Sequence, residues 1–131
     1  MFMMNREERI RFWLEASDAD ASAMHHLHAN GDNIWALFIG HIVIEKLLKA
    51  YFTKHHEGTP PLIHDLSRIA GLAGLELDPE RLDILDTITT FNIRAPYDDY
   101  KHEFALRCTS EFTADMMEKI EGLRVWIKSR L

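Results

Sequence analysis

The chain has 131 residues, 47% of them hydrophobic, and a formal charge of -6. That is enough for one cooperative core without metal or disulfide support, and the acidity argues against a broad nonspecific nucleic-acid surface, which needs concentrated positive charge. Cys108 is the only cysteine, so an intrachain disulfide is excluded and a reducing compartment is expected. No apolar run approaches the roughly 18 residues of a membrane span. The opening MFMMNREERIRF turns to charges before a signal-peptide core can form, so a soluble cytoplasmic protein with no membrane association is expected.

Asn5 and Glu8 have the spacing of a capping box, and Ile10, Trp13, Ala16, Ala23, Met24 and Leu27 follow as an uneven apolar face. They predict a first helix over about residues 6 to 29. Asp20 falls near that face, either in a buried network or at the edge of the stripe. Asn30-Gly31-Asp32 is a compact turn with Asp32 as N-cap of a second helix from Asn33, and so short a connection predicts an antiparallel hairpin. The second helix carries the central stretch FIGHIVIEKLLKAYF, residues 38 to 52, whose apolar arc is broad enough to face more than one neighbour. Gly40 within it costs a helix about 1 kcal/mol and marks either a close helix contact or an accident of packing. This helix should end near His55 or His56, ahead of Gly58 and Pro60-Pro61.

Leu62 to Gly71 supports at most a short helix across an end of the bundle, and Gly71 and Gly74 punctuate the connection after it. Asp78-Pro79 then supplies an N-cap and an N1 proline for a third long helix with Leu82, Leu85, Ile88 or Thr89, and Phe91 on its face. Thr87, Thr89 and Thr90 weaken its later turns, and Pro96 should stop it near Arg94. Residues 94 to 109 alternate between polar and aromatic without a clear period. Thr109 or Ser110 caps the last helix, whose face is Phe112, Met116, Ile120, Leu123, Ile127 and Leu131, with acids early and bases late to suit the helix dipole. Four long helices and a short one predict an all-α, up-and-down four- or five-helix bundle, one domain over residues 1 to 131.

Chemistry concentrates in RAPYDDYKH, residues 94 to 102. Arg94 could hold a phosphate while His102 transfers a proton, with Tyr97, Asp98 and Lys101 between them as candidate nucleotide- or RNA-binding groups. Such RNA cleavage would use the neighbouring 2′-hydroxyl and no metal; the alternative is a solvated cap. His25, His26, His28, His41, His55 and His56 form no CxxC- or HExxH-like pattern, so neither a metal nor a cofactor is expected. Glu45 and Lys49 stand in the favourable order for an i,i+4 surface pair, or else join a buried network between helices. His64-Asp65 precedes the short helix as a cap, with a phosphate contact from His64 as the other reading. Trp13, Trp35 and Trp126 lie at or near apolar faces and are expected to anchor packing.

HIVIEKLLKAYF at residues 41 to 52, the Trp13 and Ala16 start, PPLIHDL at 60 to 66 and FNIRAPYDDY at 91 to 100 together resemble the HEPN domain family in order across nearly the whole chain. The resemblance implies a four- or five-helix bundle, frequently a homodimer. It also implies a role with a nucleotide, RNA or a nucleotidyltransferase partner, in toxin-antitoxin or defence systems. The family's ribonuclease branch has an arginine, usually followed by a polar residue, then four to six residues and a histidine near the last long helix. Arg94 and His102 are the corresponding candidates here, but Ala95 replaces the polar neighbour and seven residues intervene. The expected function is therefore a dimeric binding module, with a metal-independent ribonuclease acting at a composite dimer groove as the alternative.

Overall fold

The computed structural model describes residues 4–93 and 98–131, residues 98–100 by their backbone alone. The described chain is all-helical, and its helices are α1 (Arg6–Ala29), α2 (Asn33–His55), α3 (Leu66–Ala73), α4 (Pro79–Thr89), α5 (Asp98–Arg107) and α6 (Ser110–Ser129). The arrangement is compatible with the up-and-down bundle expected from the sequence, and α5 adds a short helix where no period was legible. No helix among the described residues is long and apolar enough to cross a membrane.

Local chemistry sets the ends. The Asn5 side chain accepts from the Glu8 backbone N–H while the Glu8 carboxylate accepts from the Asn5 N–H, so the capping box is complete. Thr109 accepts from the Phe112 N–H at 3.1 Å, and Asp65 caps α3 through the Arg68 N–H at 3.3 Å. Asp32 and Asp78 occupy the N-cap positions of α2 and α4 without a side-chain cap hydrogen bond. Helix α3 runs through Gly71 and stops at Gly74, whose φ of 77° is the left-handed conformation that closes helices.

Helix α4 ends at Thr89, five residues before the expected stop at Arg94. Its threonines account for the difference. The Thr89 hydroxyl donates to the Leu85 carbonyl and accepts from the Leu66 N–H, and the Thr90 hydroxyl donates to the Thr87 carbonyl, so side chains compete for the last turn's hydrogen bonds. Phe91 is nevertheless fully buried, reached by a turn in place of helix.

Helices α1 and α2 form the antiparallel hairpin. The start of α1 pairs with the segment after α2 through Arg6 and Glu57, its middle through Asp20 and Lys46 at 2.6 Å, and the Ser17 hydroxyl donates to the Val43 carbonyl at 2.8 Å. Asp20 is thus a partly exposed edge residue with an ionic partner. On the inside face of α1 sit Ser17, Ala21 and Met24, while Ala23 is exposed. Helix α6 runs antiparallel to α1, tied by Asp18 to Arg124 and Lys128 and by His25 to Glu121. These exposed pairs fix register more than they stabilise.

The core lies around α2. Leu37, Ile44, Leu47 and Leu48 from α2, Leu66 and Ile69 from α3, Leu85 and Ile88 from α4, and Ile120 and Ile127 from α6 are all fully buried. Gly40 resolves its two readings in favour of close contact: a Cβ placed there would lie 2.6 Å from Ile120 Cδ1 and 3.3 Å from Met24 Sδ. Trp13 and Trp126 are half-buried, and Trp126 packs against the core as expected. Trp35 does not anchor packing; it is 51% exposed and meets Phe38 edge-on.

Candidate functional site

Four-residue spacing places His41, Glu45 and Lys49 on one stripe of α2, and all three are buried there. Glu45 and Lys49 are therefore not a surface pair. Burial demands partners for such groups, and Glu45 has several. Its Oε2 accepts from Lys49 Nζ at 3.1 Å and its Oε1 accepts from His64 Nδ1 at 2.8 Å, with His41 Nδ1 3.9 Å away. His41 Nε2 donates to the His64 carbonyl at 3.0 Å, which fixes a hydrogen on that nitrogen. Residue 64 is consequently held twice, through its ring and through its backbone, and the segment entering α3 is latched onto the middle of α2.

The network continues toward the first helix. Lys49 Nζ lies 5.6 Å from the centroid of the Trp13 ring, and the Thr53 hydroxyl donates to the Lys49 carbonyl. Beyond Trp13 opens a cavity of about 450 Å³ lined by Phe12, Trp13, Arg9, Gly58 and Pro60. Burial by itself would raise the Glu45 carboxyl, but the hydrogen bonds from His64 and Lys49 and the charges of Lys49 and His41 outweigh it and hold the group below its ordinary range.

A carboxyl depressed in the folded state contributes stability above its unfolded pKa, about 4.3 for glutamate, and that contribution fades as pH falls through the lower folded value. Acid titrations of urea stability should therefore show a steeper fall below about pH 4.3 for the wild type than for Glu45→Gln. Parallel curves would mean that Glu45 titrates in the fold as it does in the unfolded chain.

The RAPYDDYKH segment lies elsewhere. Arg94 and Tyr97 are outside the described residues, and Asp98 opens α5 with its side chain not described. Lys101 and His102 are brought together on the first half of α5, both exposed. The other side of that helix is anchored: Phe104 is buried with its ring 5.6 Å from that of Phe91. The Arg107 guanidinium lies 5.5–6.0 Å from the rings of Phe91, Phe104 and Phe112 and donates to Thr90 Oγ1. The Cys108 carbonyl accepts from Asn33 Nδ2, joining the end of α5 to the start of α2. Burial pushes the Cys108 thiol up against the opposing charge of Arg107, which is the wrong direction for a nucleophile.

Of the six candidate residues, Lys101 and His102 thus share a solvent-facing helix, while His64 belongs to the Glu45 network. His41 was not legible as part of that network, although charged and polar residues recurring on an apolar arc with no polar side to spare were the available signal. Among the described residues no group of three or more histidine, cysteine or acidic side chains could hold a metal ion. A family model, that of the HEPN domain, matches residues 10–130. Comparison with curated proteins and with solved structures gave no match.

Proposed function

Because this chain belongs to the HEPN domain family, we propose that residues 1–131 act as one dimeric module that binds a nucleotide or RNA phosphate without cleaving RNA. The HEPN domain is a nucleotide- and RNA-related module whose members commonly dimerise. The observation that carries the noncleaving reading is the placement of His102. It stands exposed on α5, and seven residues, Pro96 among them, separate it from Arg94 in sequence. Acid-base chemistry on one phosphate requires both groups at hydrogen-bond reach of it, a demand that this spacing does not favour.

In this reading Arg94 and Lys101 supply charged contacts to phosphate, flanked by Tyr97 and Asp98, and the site is small, as the net charge of -6 requires. His64 is left out, since its ring is bound to Glu45 and that carboxylate repels an approaching anion. A nucleotidyltransferase is the protein partner proposed, in a toxin-antitoxin or defence setting. The exposure of His102 supports the second reading, a metal-independent ribonuclease in which Arg94 stabilises phosphate charge and His102 acts as acid or base.

Incubating the protein with diverse RNAs in EDTA, alongside Arg94→Ala and His102→Ala, separates the two. The expected result is intact RNA throughout, with Arg94→Ala binding about tenfold more weakly, as loss of a charge-assisted hydrogen bond implies. Wild-type cleavage abolished in both variants would establish the ribonuclease and overturn the binding reading.

A further inference from the structure

Helices α4 and α6 run antiparallel but do not pack closely on one another; α4 rests on α3 and α2, and α6 on α2. Between them lies a row of three hollows of about 320, 210 and 420 Å³. The first two share Glu80, Ile84 and Lys119, and the second and third share Arg81, so the row is one continuous groove. It follows the 11 residues of α4, a length of about 16 Å. Its floor in the first hollow is apolar, formed by half-buried Ile84 and Phe112 over buried Met116.

The charge on its walls is uneven. Lys119 is held by Asp115 at 2.9 Å and Arg81 by Asp78 at 2.9 Å, so two of the three cations are already matched by carboxylates, and the third, Arg130, lies over the Trp126 ring in the hollow farthest from Asp83. Glu80 and Asp83 are exposed on the same rim, and no ion pair is formed by either among the described residues. An apolar floor with two unneutralised carboxylates above it suits an amphipathic helix whose apolar stripe enters the groove and whose flanking lysines or arginines meet the rim.

We propose that the α4/α6 groove is a docking site for a cationic amphipathic helix of a partner protein. The occupant is set by charge: an acidic helix would add its carboxylates to Glu80 and Asp83, and a neutral one would leave both rim charges unmatched. No residue of α5 and none of the Glu45 network lines this groove, so it stands or falls independently of phosphate binding.

The test uses a leucine-lysine peptide of about 14 residues, roughly 21 Å as a helix, with a leucine-glutamate peptide of the same pattern as control. Binding is followed by calorimetry on the full chain, together with sedimentation of the protein alone. Glu80→Lys/Asp83→Lys should weaken the cationic peptide by about tenfold, while Glu15→Lys, an exposed charge outside the groove, leaves affinity within about twofold. Equal loss in both variants would reduce the effect to general attraction by an acidic protein and overturn the proposal. So would equal binding of the acidic peptide, no binding of the cationic one, or self-association that Glu80→Lys/Asp83→Lys abolishes, which would make a second copy the occupant.

Discussion

Glu45→Ala should destabilise the fold by about 3–5 kcal/mol, the cost of leaving a buried ionic partner uncompensated. Lys49 is 7% exposed and its ammonium would lose the carboxylate that neutralises it. The same substitution removes the carboxylate that the His64 ring bonds to, loosening the latch between α2 and the segment that leads into α3. Urea unfolding measures the loss directly. Glu45→Gln, which keeps an acceptor for His64 but not the charge, should fall between the two proteins. Asp20→Ala removes an ion pair of similar length at the partly exposed edge and should cost less than about 1 kcal/mol. If Glu45→Ala were as mild as Asp20→Ala, Lys49 and His64 would have to find water on the surface, and the network would not be structural.

Gly40→Leu should cost about 3 kcal/mol by overpacking the α2/α6 contact. Already a Cβ at this position would come within 2.6 Å of Ile120 Cδ1, and Ile120 is fully buried with Met24 beside it. Gly40→Ala is the finer probe, because a gain in helix propensity of about 1 kcal/mol opposes the clash. Ile120→Val removes the δ-methyl group in question. A double-mutant cycle should therefore show Gly40→Ala better tolerated in the Ile120→Val background than alone, by about 0.5 kcal/mol or more. Strict additivity would show that the methyl group moves aside without cost.

Both substitutions probe the one helix whose importance was evident from the residues alone, and the contrast between them shows what a sequence conveys. The breadth of the apolar arc on α2 announced a helix with neighbours on more than one side, and Gly40 and Ile120 now show how one of those neighbours approaches. Caps at Asn5, Asp65 and Thr109 were legible because they are local, depending on residues three positions apart. The end of α4 was not, because it turns on Thr89 bonding at once to its own helix and to Leu66 of α3. The burial of Glu45 and Lys49 likewise depends on the loop carrying His64 folding back over α2, a contact 19 residues away in sequence. Trp35 misled because aromatic character says nothing of which side of a helix meets the core. The candidate site was legible as a set of residue types, whereas the exposure of Lys101 and His102 on one helix, α5, was not.

The most direct test of the functional account is one titration of a labelled single-stranded RNA with the protein in EDTA, read for anisotropy and then for strand length. A saturable rise in anisotropy, weakened by Arg94→Ala, is expected, with the RNA recovered at full length. Shortened RNA from the wild type and full-length RNA from His102→Ala would contradict it.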